Sequence, residues 1–174
     1  FDIVHAHYGL SALVAIFQRK LPLVATFHGS DVNYNMLNLL SSFVVLFSKV
    51  NIFVSEDLKS KIYLKSKKNV VIPCGIDLNQ FIPIQKTEAR KKLKLDHFKK
   101  YILFPSAKET LVKNYSLAKQ VVDRLPDVTL LELSGKTRSD VNFIMNACDV
   151  LLMTSLREGS PQTIKEAMAC NCPI

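Results

Sequence analysis

The stretch Val150-Leu151-Leu152-Met153-Thr154-Ser155-Leu156-Arg157-Glu158-Gly159-Ser160-Pro161-Gln162-Thr163-Ile164-Lys165-Glu166-Ala167-Met168-Ala169-Cys170 reads as one strand, one turn and one helix. Val150 to Thr154 is an apolar run ending in a β-branched residue, the pattern of a strand buried on both faces of a parallel sheet. Leu156 to Gly159 breaks that run with charge and with a glycine, which lets another group come close to the backbone. Ser160 is a good N-cap and Pro161 a good first helical residue, so a helix is expected over Pro161–Cys170. A helix that starts just beyond a strand presents free N–H groups and a positive dipole end, a place suited to a phosphate.

Working back from there, the same unit recurs. Tyr101 to Pro105 is followed by a helical Asn114 to Leu125, and Val128 to Leu133 by Ser139 to Ala147. Leu117, Val121, Val122 and Leu125 share one helix face, as do Val141, Ile144, Met145 and Cys148, which is the stripe of a helix lying on a sheet. Nearer the N-terminus, Ile3 to His7 precedes Ser11 to Arg19, Leu23 to Phe27 precedes Asn35 to Ser48, Ile52 to Ser55 precedes Glu56 to Ser66, and Val70 to Pro73 comes after them. Such alternation predicts an α/β fold with parallel sheets. Between the two runs of units, Pro73 to Thr87 carries Gly75, Asp77, Asn79 and Pro83 with few periodic positions, and reads as a linker. The boundary is expected near residue 85, giving domains 1–85 and 86–174.

The chain has 174 residues, of which 48% are hydrophobic, enough to bury a core. No apolar run approaches the roughly 18 to 20 residues of a membrane span, so a soluble chain is expected. Phe1-Asp2-Ile3-Val4 resembles a strand entered mid-fold more than a signal peptide, and Cys172-Pro173-Ile174 resembles the start of a strand, so both ends read as cut. Cys74, Cys148, Cys170 and Cys172 lack zinc-site spacing and are read as reduced thiols of a cytoplasmic protein. The net charge of +8 favours anionic partners. Much of it lies in Lys59 to Lys68 and Lys86 to Lys100, read as solvated helix faces, with contact to an anionic membrane as the other reading. These stretches lack an interleaved aromatic platform or a recognisable module, which argues against nucleic acid.

Ligands of open parallel sheets bind beyond the carboxyl ends of the strands. The residues at those places are His28-Gly29-Ser30-Asp31, the pair Lys108 and Lys113, Ser134-Gly135-Lys136, and the loop Leu156 to Pro161. Glu158 and Glu166 are placed to bracket a ligand the size of a sugar nucleotide, though a loop acid and a surface helix acid would have the same spacing. Two ammonium groups at Lys108 and Lys113 suit a diphosphate. His28 either holds a substrate hydroxyl or phosphate or is a satisfied core histidine.

The run from Glu158 to Cys170 resembles the Glu-x7-Glu signature of retaining GT-B glycosyltransferases, including the Glu-Ala-Met-Ala-Cys that closes it. His5-Ala6-His7-Tyr8-Gly9 with Thr26-Phe27-His28-Gly29-Ser30-Asp31, then Val71 to Phe81, then Ala147-Cys148-Asp149-Val150 agree in order with the same group, and the chain is most similar to glycosyltransferase family 4. The resemblance implies two Rossmann-like parallel-sheet units, both incomplete here: an acceptor-side domain with linker in 1–85 and a nucleotide-sugar donor domain in 86–174. It implies that Glu166 binds the ribose hydroxyls, that Glu158 sits near the transferred sugar, and that Gly159, Ser160 and Pro161 bring the helix N-terminus to the diphosphate. His28 matches the family histidine that faces the sugar, and Asp31 is expected to help receive the acceptor. Where the family carries an Arg and a Lys five positions apart, this chain has Lys108 and Lys113, which keeps the charge but loses the bidentate fork.

The implied reaction is transfer of a glycosyl unit from a nucleoside diphosphate sugar to an acceptor hydroxyl with retention, in glycan or polysaccharide synthesis. The acceptor would be a carbohydrate or a lipid-linked glycan, and the location the cytoplasm or the inner face of the membrane. No cofactor and no metal are expected, since no Asp-x-Asp triplet is present. The family's first strand and glycine-rich loop, and its elements beyond Ile174, are missing, which puts activity of this piece alone in doubt. The rival readings are a GT-B nucleotide-sugar epimerase and an inactive relative that at most binds nucleotide.

Overall fold

The computed structural model describes every residue from Phe1 to Ile174. They form two compact units, Phe1–Cys74 with Glu158–Ser160, and Gly75–Arg157 with Pro161–Ile174. The division at Cys74/Gly75 falls inside the stretch read as a linker, whose later part packs with the second unit. Phe81 is 1% exposed within the second core. The N–H groups of Ile82 and Ile84 donate to the side-chain oxygens of Asn142 and Asn146 at 3.2 and 2.6 Å. Composition made this stretch look like a linker because its partners come some 60 residues later in the chain.

In the first unit, β1 (Val4–His7), β2 (Leu23–Phe27), β3 (Val50–Phe53) and β4 (Asn69–Val71) form a parallel sheet in sequential order. Leu23, Ala25, Thr26 and Phe27 of β2 are all buried, as suits a central parallel strand. The Phe27 and Phe53 rings stack with centroids 4.9 Å apart, and burying each contributes roughly 1.5–3 kcal/mol. Four helices cover the sheet: α1 (Gly9–Ala15), α2 (Ser30–Asn33), α3 (Asn35–Phe47) and α4 (Glu56–Lys61). A Cβ on Gly9 would lie 2.1 Å from Ser41 Oγ, so the close approach of α1 to α3 requires glycine there.

Helix α4 starts where expected, with the Ser55 hydroxyl accepting from Leu58 N–H at 3.3 Å, acids in its first turn and lysines in its last. It stops at Lys61, short of the expected Ser66. Ile62 turns extended and is buried at 1%, and the buried Asn38 takes over the freed backbone. The Asn38 amide donates to Lys61 O at 2.9 Å and its oxygen accepts from Tyr63 N–H at 3.2 Å. This hub makes a buried helix end satisfiable.

In the second unit, a three-stranded parallel sheet has the order β6-β5-β7, formed by β5 (Lys100–Phe104), β6 (Val128–Glu132) and β7 (Val150–Leu151). Its helices are α5 (Lys86–Lys92), α6 (Tyr115–Val122), α7 (Arg138–Ala147) and α8 (Gln162–Ala169). A capping box opens α7: Thr137 Oγ1 accepts from Asp140 N–H at 3.1 Å and Asp140 Oδ2 accepts from Thr137 N–H at 3.3 Å. Buried Arg90 joins α5 to the end of α7 and the turn into β7, donating to Ala147 O at 3.0 Å, His97 O at 2.8 Å and Asp149 Oδ2 at 2.9 Å. Because all strands of a sheet run the same way, the candidate residues just past them lie at the carboxyl edge of their own sheet.

Candidate functional site

At the carboxyl edge of the first sheet, register decides which side chains meet. His7 of β1 pairs with Thr26 of β2, and His5 and His7, two apart, share a face of the sheet. His5 Nε2 and Thr26 Oγ1 are 2.8 Å apart, and His7 Nδ1 and His28 Nε2 are 2.9 Å apart. The rings of His5 and His7 have centroids 4.4 Å apart, and those of His7 and His28 5.2 Å. Partial burial, and next the neighbouring His7, hold the His28 imidazole below its ordinary value, against the opposing pull of Asp31. His28 was expected from the sequence; its partnership with His7 was not.

Asp31 was expected from the sequence to help receive the acceptor. It is 1% exposed, in the first turn of α2. Its Oδ1 accepts from Gly29 N–H at 2.7 Å and His28 N–H at 3.1 Å, and its Oδ2 accepts from Gly9 N–H at 3.2 Å. A carboxylate occupied in this way organises the backbone of the loop that carries His28. Within the same unit, a Cβ on Gly159 would fall 2.0 Å from His28 O. That close approach is the physical reason for a glycine between Glu158 and Ser160.

In the second unit, Lys108 is exposed and Lys113 half-buried, the latter closing a 3-10 turn at Leu111–Lys113. Thr154, just past β7, donates its hydroxyl to Lys113 O at 2.9 Å or Asn114 O at 3.0 Å, and Leu156 N–H donates to Val112 O at 2.9 Å. These bonds join the lysine-bearing loop to the loop that leads to Glu158. Neither Thr154 nor this link was singled out from the sequence, since a threonine at a strand end has no distinctive pattern.

Helix α8 begins at Gln162 with Pro161 in the cap position, which shifts by one residue the expected Ser160 cap and Pro161 first turn. Gln162 Nε2 donates to Gly75 O at 2.9 Å. Glu166 is 5% exposed, and its Oε1 accepts from Arg138 Nη1 at 2.8 Å. The Arg138 side chain is 63% exposed, and its guanidinium lies 5.0 Å from the centroid of Phe81. Glu166 is therefore not the surface acid that spacing alone allows, but a buried carboxylate with a solvent-facing cation on it. Arg138 carried no signal in the sequence because its partner lies 28 residues on.

The four cysteines are free thiols. Burial first pushes Cys148 up to about 12 and Cys170 up to about 11, and raises Cys172, so a thiolate nucleophile is not available there.

Residues 1–80 match the family described as Glycosyltransferase Family 4. Over 219 aligned positions the chain is 24% identical to the UDP-Gal:alpha-D-GlcNAc-diphosphoundecaprenol alpha-1,3-galactosyltransferase of Escherichia coli, covering 99% of this chain and 57% of that one. Among solved structures it is similar to sucrose-phosphate synthase from Thermosynechococcus elongatus, with a TM-score of 0.86, 17% identity and coverage of 99% and 55%. It is also similar to Anabaena Alr3699/HepE in complex with UDP-glucose, with a TM-score of 0.82, 19% identity and coverage of 99% and 58%. At such identities the structural likeness establishes the fold, the parallel α/β arrangement of GT-B. The chain spans between 51% and 57% of the length of the curated relatives it matches.

Proposed function

We propose, from the premise that this chain belongs to the GT-B glycosyltransferases with a family 4 segment at residues 1–80, that its activity is transfer of a sugar from a nucleoside diphosphate sugar to an acceptor hydroxyl with retention. The observation that carries this reading is Glu166. A carboxylate 5% exposed, past the carboxyl end of β7 and held by an exposed arginine, is a ready acceptor for a pair of vicinal hydroxyls such as those of ribose.

In this reading Glu166 accepts hydrogen bonds from the ribose, and Glu158 lies by the transferred sugar. The N-terminus of α8 with Gly159, Ser160 and Pro161 receives the diphosphate. Lys108 and Lys113 supply positive charge to the same group as it leaves. Stabilising that developing charge by fixed dipoles and ammonium groups is often the largest contribution to catalysis. His28 contacts the sugar through its ring, with its backbone fixed by Asp31. The chemistry calls on no cofactor and no metal ion.

The E. coli relative is named for a diphosphoundecaprenol-linked acceptor, and the Anabaena structure holds UDP-glucose. These names support a uridine nucleotide as the first donor to try and a lipid-linked glycan as the first acceptor. No helix of the chain is long and apolar enough to cross a membrane.

Calorimetric titration of UDP, GDP and ADP, without added metal, into the chain and its Glu166→Ala variant tests the proposal. One nucleotide should bind clearly and lose about 100-fold in affinity in the variant, equivalent to about 2.7 kcal/mol. Failure of all three to bind would overturn the donor site.

A further inference from the structure

We propose that His7 is a positioning residue for His28, fixing the rotation and tautomer of the ring that meets the donor sugar. The inference rests on the reading of His28 given above. His7 Nδ1 lies 2.9 Å from His28 Nε2, and the rings are nearly parallel at 25°. His7 is in turn fixed on its strand: its backbone is in the β1–β2 ladder opposite Thr26, and the neighbouring His5 ring is held by the buried Thr26 hydroxyl at 2.8 Å. Both His7 and His28 are exposed, so core packing does not explain the contact.

An N···N hydrogen bond holds one proton, so one ring donates and the other accepts. His28 Nε2 is occupied by His7, which leaves Nδ1 as the ring nitrogen for a sugar hydroxyl. The tautomer of His28 is then set by whether His7 Nδ1 gives or takes the shared hydrogen. Two imidazolium rings cannot keep this bond, because both nitrogens would be donors. Acidification therefore releases the ring. The groups that act on His28 are His7 and His5 of β1, which disfavour its cation, and Asp31 of α2, which favours it. Partial burial adds to the first effect.

The test uses the whole 174-residue chain as wild type, His7→Phe and His7→Asn. Phenylalanine keeps the ring stack and removes the bond; asparagine places an amide near the position of Nδ1 and keeps a bond that does not titrate. Long-range proton–nitrogen correlation of the imidazoles should show one dominant His28 tautomer in wild type and in His7→Asn. In His7→Phe it should show averaged nitrogen shifts and a titration midpoint moved up towards the ordinary value. Calorimetry should show UDP binding unchanged in His7→Phe, while UDP-glucose weakens about tenfold and recovers in His7→Asn.

Backbone amide spectra establish that each variant is folded. An unchanged His28 tautomer and midpoint in folded His7→Phe would overturn the proposal, as would an unchanged preference for UDP-glucose over UDP. If none of UDP, GDP and ADP binds to the three proteins, the donor-site reading fails instead, and the imidazole spectra still decide whether His7 sets the tautomer.

Discussion

Asp31 and Glu166 are both buried carboxylates, 1% and 5% exposed, each in a helix that comes after a parallel strand, yet they are satisfied in opposite ways. Asp31 receives the backbone N–H groups of Gly9, His28 and Gly29, donors that belong to the fold and cannot leave. Glu166 receives a guanidinium on a long side chain that is 63% exposed. A carboxylate satisfied by backbone is part of the scaffold. One satisfied by a solvated cation can exchange that partner for a ligand at little cost, because Arg138 regains water when it departs.

The largest effect should come from Asp31→Ala. It strands three amides, two on the His28 loop and one at the start of α1, and should cost about 3–4 kcal/mol of stability, read as a lower urea midpoint. An unchanged midpoint would erase the distinction between the two acids. Next comes Glu166→Ala, which should lose the nucleotide affinity described above while its unfolding free energy stays within about 1 kcal/mol of wild type. If its stability fell as far as that of Asp31→Ala, Glu166 would be scaffold too.

Arg138→Ala sharpens the same contrast. It leaves a buried charge without its cation, so a loss of about 1–2 kcal/mol in stability is expected, with nucleotide affinity within about threefold of wild type, which is under 1 kcal/mol. Loss of binding equal to that of Glu166→Ala would mean that Arg138 itself touches the ligand.

Asp149 stands between the two cases, its side chain 36% exposed and bonded to Lys86, Arg90 and the Tyr101 N–H. Burial pushes its carboxyl up, but the Lys86 bond, the Tyr101 N–H and the nearby cations outweigh it and hold the group below its unfolded value of 3.8. Its contribution is therefore fully present above about pH 4 and is lost as pH falls through the depressed folded value. Acid titration of stability should show this as a shallow loss absent from Asp149→Asn; identical acid profiles for the two proteins would remove Asp149 from the account.

Much of the fold was legible because it rests on local signals. The apolar runs at Leu23 to Phe27 and Tyr101 to Pro105 are buried parallel strands, and the stripe on α7 faces the second core as its spacing implied. The lengths of elements were less legible. Helix α4 ends early because Asn38, 23 residues away from Lys61, rewards an earlier stop. The stretch from Gly75 to Gln85 looks like a linker until Asn142 and Asn146 are brought against it.

The candidate site divides along the same line. Glu158, Gly159 and Glu166 entered through the resemblance to the Glu-x7-Glu signature, and His28 and Asp31 through their place after a strand together with the same resemblance. The roles of Asp31 and His7, the cation on Glu166 and the clip at Thr154 all depend on residues that strand register and helix packing bring together from distant parts of the chain.

The sequence by itself determined the alternation of strand and helix, the parallel sense of both sheets and the loops at which chemistry can sit, because hydrophobic period, capping residues and turn formers act over a few residues. The tertiary structure decided where one unit gives way to the next and which buried acid is bonded by backbone and which by a side chain, because hydrogen-bond satisfaction is settled between groups that only folding makes neighbours.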